Sequence, residues 1–234
     1  SASISPDGKT AVSGASDRTL KLWDIQTGRC LRTFEGHAKR LGIKSTSFTS
    51  DGKFVIFSIN KWDDDPDSSI KMLNVASGEC LPFAEKQAKT SSPSLSPDDK
   101  FAVSGVGNEI GGALKLWDVA TGECLRTFEE DESWICHVRF SPDGKIAITA
   151  SYNKILMLWD LASGHCIRIL NEQVDARCLS FSPDGRFAVS GGTGQSLSLW
   201  NVDTGQCVHT YTGHEGWIRS VAFSPDGRFL LSGS

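Results

Sequence analysis

The chain of 234 residues carries 24 basic and 28 acidic residues, which gives a formal net charge of −4. A nucleic-acid-binding surface normally needs a basic stripe, so this mild acidity argues against a nucleic-acid partner. No apolar run approaches the roughly 18 residues that a membrane span needs, so we expect no membrane partner either.

A four-residue turn motif recurs along the chain. Ser-Pro-Asp-Gly stands at Ser5–Gly8, and identical copies begin at Ser141, Ser182 and Ser224. Degenerate copies begin at Thr49 and Ser96, so that successive copies are 41 to 47 residues apart. A fixed period of this length indicates one structural unit repeated along the chain.

Each repeat predicts four short strands. The stretch before the turn alternates large and small residues, as in Ile218–Phe223, and Phe229–Leu231 is a second apolar stretch after the turn. The third stretch is Leu-Lys-Leu-Trp-Asp at Leu20–Asp24, and the fourth follows a Thr-Gly or Ser-Gly turn, as in Cys207–Tyr211. Period-two alternation between turn residues is typical of β-strands, and no segment of helical period stands out. Four antiparallel strands at this spacing are the signature of a propeller blade.

Several markers occur together in a fixed order and point to a known family. The Trp-Asp pairs, the Gly36-His37 and Gly213-His214 pairs and the Ser-Pro-Asp-Gly turns make the chain resemble the WD-repeat family over essentially its whole length. The resemblance implies an all-β fold, a WD-repeat β-propeller of four-stranded antiparallel blades. The close similarity of its repeats to one another resembles the WD arrays of bacterial and fungal signalling proteins. We place the blades at approximately 1–34, 43–84, 90–128, 134–170 and 175–211, with a half-blade at 217–234.

The two ends of the chain repeat the same part of a blade. Residues 1–15 align with residues 220–234, since both contain the end of a first strand, the turn and the second strand. Complementary halves, not duplicated ones, would be needed to close a ring by sharing one blade. We therefore expect about five and a half blades of a seven-bladed or longer array, seven being the family norm.

The resemblance also implies a set of structural residues. WD blades share a buried network of a Gly-His histidine, a second-strand Ser or Thr, a turn Asp and the Trp. The positions that match it are His37, His214, Asp17, Asp67, Trp23, Trp117, Trp159 and Trp200. No blade holds all four members, and Leu73 replaces the Trp in the second blade. We expect apolar packing to dominate and the blade with Leu73 to be the least well packed.

Seven cysteines give an odd number, and five of them recur at one position of the repeat: Cys30, Cys80, Cys124, Cys166 and Cys207. Equivalent positions on separate blades are too far apart for a disulfide. We expect all seven to be buried thiols in a reducing compartment, which favours the cytoplasm. No Cys-x-x-Cys occurs, so no zinc site or other cofactor is expected.

Variation between the repeats indicates where a partner would bind. In the family, the Ser-Pro-Asp-Gly and Thr-Gly turns share one face, and they are nearly uniform here. The loops on the opposite face differ, as at Asn60–Pro66, Val106–Gly112 and Glu129–Glu132. Variation on one face is what a specific binding surface should show. The alternative is that the longer loops are merely tolerated insertions, because loop length costs little stability.

Our candidate protein-binding residues lie on this variable face, and aromatic residues and Arg are the usual hot-spot types. They are Trp62, Asp63, Asp64, Asp65, Trp134, Tyr152, Arg177, Trp217 and Arg219. For Trp134 and Trp217, capping of the blade core is the alternative role. The acidic loops favour a protein or peptide partner that is basic.

Two functions stay open. The first is a protein-interaction scaffold or sensor module, fused to or associated with an effector domain outside these residues. The second is a propeller enzyme with a site in the central channel, which would require His, Asp or Glu to converge on first-strand positions. Those positions hold mostly Ser, Ala, Cys and Val, and no Gly-x-Ser-x-Gly or phosphate-loop motif occurs. We therefore predict a non-enzymatic scaffold.

Overall fold

The structure is a computed structural model, and it describes residues 1–35, 42–59, 70–82, 90–91, 93–107, 111–130, 134–171 and 175–234. Every regular element in these ranges is a β-strand, which confirms the all-β prediction. The strands form five four-stranded antiparallel sheets and one two-stranded sheet. We call them blades one to five and the half-blade.

The strands follow one another in chain order. Blade one contains β1 (Ala2–Ile4), β2 (Thr10–Gly14), β3 (Leu20–Asp24) and β4 (Cys30–Phe34), and blade two contains β5 (Ile43–Phe48), β6 (Phe54–Ile59), β7 (Ile70–Asn74) and β8 (Cys80–Pro82). Blade three contains β9 (Ser94–Leu95), β10 (Phe101–Gly107), β11 (Gly112–Asp118) and β12 (Cys124–Glu130). Blade four contains β13 (Ile135–Phe140), β14 (Ile146–Ser151), β15 (Ile155–Asp160) and β16 (Cys166–Asn171). Blade five contains β17 (Ala176–Phe181), β18 (Phe187–Gly192), β19 (Ser196–Asn201) and β20 (Cys207–Thr212), and the half-blade contains β21 (Ser220–Phe223) and β22 (Leu230–Gly233).

The first strand of each sheet lies innermost. The strand β1 contacts β5, β9 contacts β13, β13 contacts β17 and β17 contacts β21, so the first strands meet around a common centre. The fourth strands lie outside, and every residue of β20 is exposed. This is the radial arrangement of a β-propeller.

The Ser-Pro-Asp-Gly turns owe their uniformity to a shared hydrogen-bond pattern. The Ser5 hydroxyl donates to Asp7 Oδ1 at 2.6 Å, and the Thr10 amide donates to the Ser5 hydroxyl at 2.9 Å. Gly8 takes the left-handed φ of 69° that ends the turn. The degenerate copy at Thr49 makes the same bond to Asp51, also at 2.6 Å. All of these turns lie at one edge of the sheets, which we call the turn face.

Each apolar core is shared by two successive blades. One cluster, for example, joins Leu156 and Leu170 of blade four to Leu179 and Trp200 of blade five. Trp117, Trp159 and Trp200 pack against the preceding blade, and the ring centroids of Trp159 and Phe128 lie 5.8 Å apart in an edge-to-face arrangement. Trp117, Trp159 and Trp200 are buried, whereas Trp23 is only half-buried.

The indole N–H groups of these tryptophans are paired within their own blades. Trp23, Trp117 and Trp200 donate to second-strand serines at 2.8 to 2.9 Å, and Trp159 donates to Thr149 at 3.1 Å. Blade two replaces both partners at once, because Phe57 stands at the serine position and Leu73 at the tryptophan position. Both side chains are fully buried in one apolar cluster. The paired change removes the donor together with its acceptor, which avoids an unsatisfied buried polar group.

Arginines of the fourth strands connect blade one to two, blade three to four and blade four to five. Arg32 donates to the carbonyls of Ala76 and Ser77 at 2.7 and 2.9 Å, across the boundary between blades one and two. Arg126 donates to the Ala162 carbonyl at 2.8 Å, and Arg168 to the Thr204 carbonyl at 3.2 Å. We call these bonds the arginine clasps. They lie at the turn face and were not predicted from the sequence.

The expectation that all seven cysteines are buried is wrong for the five repeat cysteines. Cys30, Cys124, Cys166 and Cys207 are exposed and Cys80 is half-buried, whereas Cys136 and Cys178 are buried. The repeat cysteines begin the outermost strands, where no further strand covers them.

Candidate functional site

The candidate site lies at the edge of the sheets opposite the turn face, which we call the loop face. Trp134 immediately precedes β13, Tyr152 immediately follows β14, and Trp217 lies just before β21. The Tyr152 amide donates to the Trp134 carbonyl at 3.3 Å, and the Ile218 amide donates to the Gly192 carbonyl at 2.8 Å. The first bond holds the start of β13 against the end of its own second strand, and the second joins the start of the half-blade to the end of β18 in blade five.

Four of the predicted binding residues form one continuous stack, which we call the aromatic–arginine ladder: Trp134, Tyr152, Arg177 and Trp217. The ring centroids of Trp134 and Tyr152 lie 5.3 Å apart with an interplanar angle of 36°. The guanidinium carbon of Arg177 lies 5.9 Å from the Tyr152 ring centroid and 5.1 Å from that of Trp217. Both distances are within the range of a cation–π contact. The ladder therefore runs across blade four, blade five and the half-blade.

A β-bulge places Arg177 in the ladder. Ala176 pairs with Gly192 and Cys178 pairs with Gly191, so Arg177 has no residue opposite it. Blade four has the same bulge at Cys136. Bulges redirect side chains in this way and are common beside functional sites. The Cys136 thiol donates to the carbonyls of Ala150 and Ala176 and so joins blades four and five. At the equivalent position of blade five, Arg177 projects a cation instead.

The first residue of the ladder depends on a glycine of blade three. A Cβ atom at Gly107 would lie 3.1 Å from Trp134 Cδ1 and 2.7 Å from the Gly111 carbonyl oxygen. The distance to the Gly111 oxygen is too short for a real Cβ atom and the distance to Trp134 is tight, so a larger residue here would have to move the backbone and displace the ring.

The ladder is accessible to a partner. Tyr152 is 40% exposed and Trp217 is 50% exposed, and Trp134 and Arg177 are half-buried. Arg219 occupies the position of Arg177 in the half-blade and is exposed. Burial raises the pKa of Tyr152, and the charges of Cys136 and Asp175 raise it too, whereas Arg177 lowers it. Tyr152 therefore stays protonated at neutral pH.

The other predicted residues divide into two groups. Trp62, Asp63, Asp64, Asp65, His37 and Asp67 lie outside the described residues. His214 shares a hydrogen bond of 2.7 Å with the Ser232 hydroxyl, so two members of the family network meet in the half-blade. Asp17 instead bonds the amide and hydroxyl of Thr19 within its own turn.

The centre of the described structure offers little catalytic chemistry. The first strands in the described ranges carry no carboxylate, and their ionisable residues include His137 and Arg139 of blade four. Burial lowers the pKa of Arg139. No group of three or more His, Cys, Asp or Glu side chains in the described part of the chain is placed to hold a metal ion. The described residues also contain no helix long and apolar enough to cross a membrane.

The groove between blade five and the half-blade lies away from the ladder. It has a volume of about 610 Å³ and is lined by residues such as Leu199, Tyr211 and Phe229. It runs beside β22, where the complete blades have a third strand, so we do not regard it as a ligand site.

The chain is similar over its whole length to a family of known propellers. The family model described as the IFT122 first beta-propeller matches residues 1–234. The nuclear distribution protein PAC1 of Arthroderma otae is 29% identical over 164 residues, which is 64% of this chain and 32% of the relative. Human apoptotic protease-activating factor 1 is 28% identical over 67% of this chain, and 12% of the relative is covered. Subunit I of eukaryotic translation initiation factor 3 of Botryotinia fuckeliana is 26% identical, with 64% of this chain and 46% of the relative covered.

This chain thus spans less than half the length of these relatives. The repeats, the four-stranded blades and the match over all 234 residues agree with one another. The chain belongs to the WD-repeat β-propeller family.

Proposed function

We propose that this chain is a protein-interaction scaffold that binds a partner protein or peptide on its loop face. The aromatic–arginine ladder carries the proposal, because it places half-exposed aromatic rings and an arginine in one line across three units. Such residues provide most of the binding energy in protein interfaces. Members of the WD-repeat family generally mediate protein interactions, typically as non-enzymatic scaffolds, which is consistent with this role.

The chemistry of the two faces favours the loop face. The turn face repeats one hydrogen-bonded turn in every unit, so it offers the same groups at each blade. The loop face differs from blade to blade, with Tyr152 and Trp134 at one blade and Trp217 and Arg219 at another. A surface with distinct groups at distinct positions can hold one partner in one orientation.

The acidic residues of the sequence and the resemblance to the WD-repeat family suggest the charge of the partner and the setting in which the scaffold works. The acidic residues Asp63–Asp65 and Glu129–Glu132 favour basic segments of the partner, because opposite charge speeds encounter and selects the partner. We also propose an attached or associated effector domain, a role in signalling and a cytoplasmic location. An enzyme site in the central channel is disfavoured, because the described first strands lack carboxylates.

The test is a paired substitution on the loop face of the intact protein. Trp217→Ala together with Arg219→Ala removes an exposed ring and an exposed charge without touching a buried core. We expect partner binding to weaken 10-fold or more, which corresponds to about 1.4 kcal/mol. Partners are identified by affinity purification of the intact protein with quantitative mass spectrometry, and binding of each is then titrated.

A turn-face variant supplies the matched control. Charge reversal at Asp7 or Asp143 alters this face but also breaks turn hydrogen bonds, because both carboxylates accept them. Lys145→Glu is the cleaner control, since Lys145 is exposed on the same face. It should retain every partner. Loss of binding in the Lys145 variant with full binding in the Trp217 and Arg219 variant would mean that the partner binds the turn face.

A further inference from the structure

We propose that the aromatic–arginine ladder recognises a carboxylate, the side chain of Asp or Glu in an extended segment of the partner, through Arg177. This inference rests on the proposed function and names the chemistry of its contact. It differs from the expectation of basic partner segments, which rests on the acidic residues Asp63–Asp65 and Glu129–Glu132 of the sequence. The two expectations are compatible, because one partner can carry an acidic residue that binds the ladder and basic residues elsewhere.

No carboxylate in the described part of the chain neutralises the charge of Arg177. Within the described ranges no carboxylate forms an ion pair with Arg177, and no residue accepts a hydrogen bond from it. Its Nε atom is buried without a hydrogen-bond partner. A guanidinium held in this way has lost part of its hydration, which favours an acceptor that a ligand brings to its other N–H groups.

The ladder also orients the guanidinium of Arg177 before a ligand binds. Its neighbours on both sides are the rings of Tyr152 and Trp217, which favour a cation but offer no carboxylate or carbonyl acceptor. Arginine normally loses side-chain entropy when it binds an anion. Here that loss has occurred on folding, so the binding step is less costly.

The shape and charge of the ladder favour a carboxylate over a phosphate. A carboxylate is planar and matches two parallel N–H groups of one guanidinium. A phosphorylated side chain carries a charge of about −1.5 to −2 and is usually bound by a cluster of arginines. The ladder contains one arginine, and the negative charge of Asp175 lies close enough to raise the pKa of Tyr152. Glu215 is exposed two residues before Trp217. These acidic groups oppose a dianion more than a single carboxylate.

The exposed ring of Trp217 defines the second part of the contact. It is half-exposed and lies on Arg177, so a segment whose carboxylate reaches Arg177 would cover this ring with its own backbone or an apolar neighbour. Desolvation of an aromatic ring beside a charge pair strengthens the pair, because water is excluded from it. The ligand we infer is therefore an acidic residue in an extended peptide.

The experiment titrates the protein with sodium propionate, which carries the carboxylate of a glutamate side chain. It follows the arginine Nε–H and tryptophan indole N–H signals by NMR, at constant ionic strength maintained with sodium chloride. We expect saturable shifts of the Arg177 and Trp217 signals, with half-saturation on the order of 10 mM, as befits so small a ligand. Propionamide, which has the same shape without the charge, should produce no saturable shift.

Two arginine variants separate specific binding from general attraction. Arg177→Gln should abolish the propionate-dependent shift of Trp217. Arg186→Gln is the matched control. The guanidinium carbon of Arg186 lies 6.0 Å from the Phe187 ring centroid, but this arginine is located at the turn face. It should leave the shift unchanged.

Two results would overturn the inference. One is the absence of a saturable shift at Arg177 and Trp217, or its persistence in the Arg177 variant. The other is inorganic phosphate binding at Arg177 at least 10-fold more tightly than propionate, which would indicate a phosphorylated partner. The titration needs no partner, so its failure is distinguishable from failure of the proposed function. Loss of partner binding in the Trp217 and Arg219 variant without any propionate shift would retain the loop face and reject the carboxylate.

Discussion

At the scale of single residues, the environment of each cysteine decides its chemistry. Burial raises the pKa of the Cys178 thiol to about 11, although the nearby Arg139 charge lowers it. Its Sγ atom also donates to the Gly191 carbonyl at 3.3 Å. Cys207 begins an outermost strand and is exposed. Only the thiolate reacts with alkylating reagents, so these two cysteines should behave very differently.

We therefore predict selective alkylation by N-ethylmaleimide at pH 8. Cys30, Cys124, Cys166 and Cys207 should react readily, whereas Cys136 and Cys178 should react only after unfolding, as peptide mass spectrometry will show. With a pKa of about 11, only ~0.1% of Cys178 is thiolate at pH 8. Equal rates for Cys178 and Cys207 in the folded protein would contradict this.

The raised pKa of Cys178 also has a consequence for stability. The folded thiol keeps its proton up to about pH 11, whereas the unfolded thiol loses it near its ordinary value of 9.0. Between these values the unfolded state binds fewer protons, so the free energy of unfolding falls as the pH rises. Below pH 9 this group contributes its full stabilisation.

Residue identity explains why some features could be predicted and others could not. The turns and third strands repeat in the sequence, so the blades follow from it. The pairing of Phe57 with Leu73 was missed, although alignment of the turns places Phe57 where Ser13, Ser104 and Ser190 stand. The exposure of Cys124 was missed because it depends on which strand is outermost.

At the scale of elements, the arginine clasps stabilise the boundaries between blades. Arg32 donates to two carbonyls of the next blade, and its guanidinium lies 4.9 Å from the Phe34 ring centroid. A Cβ at Gly78 would lie 2.4 Å from Arg32 Nη2, so the glycine provides the space for the clasp. The signal in the sequence is an arginine two residues after the repeat cysteine in three blades, but its acceptors lie 36 to 45 residues further along the chain.

We predict that Arg32→Met lowers the free energy of unfolding by about 1 kcal/mol. Methionine keeps the apolar stem but loses two hydrogen bonds from a charged donor, and solvent exposure reduces their value. Urea denaturation monitored by tryptophan fluorescence measures the change. Arg29→Met, three residues earlier on the same exposed surface, should be neutral. Equal effects of the two variants would mean that the clasp contributes no stability.

The aromatic–arginine ladder could be predicted only in part. The sequence placed each of its members on the loop face. That they form one stack follows from the bulge at Arg177 and from the close packing of Trp134 on Gly107, and neither is visible in a pattern of residue types.

At the scale of the whole molecule, no described blade is independent of its neighbours. The cluster that contains Trp200 draws its residues from blades four and five, and each of the other clusters likewise spans one boundary. Stability is then a sum of terms between neighbours, as in other repeat proteins.

We predict that Trp200→Ala costs about 3 to 5 kcal/mol, because it leaves a large cavity in a shared core. Native-state hydrogen exchange should show faster opening in both blade four and blade five, and unchanged protection in blade one. Trp23→Ala, at the half-buried tryptophan, should cost less. Faster exchange confined to blade five would show that the cores are not shared energetically.

The packing of Trp117, Trp159 and Trp200 against the preceding blade also determines the order in which the nascent chain can become compact. Trp159 covers blade three and Trp200 covers blade four, so each blade is finished only when the third strand of the next has left the ribosome. Successive turns are 41 to 47 residues apart. At roughly 5 to 20 residues per second, one apolar blade face stays uncovered for about 2 to 9 s before its successor arrives. During translation, the newest blade is thus always the one that a chaperone can recognise.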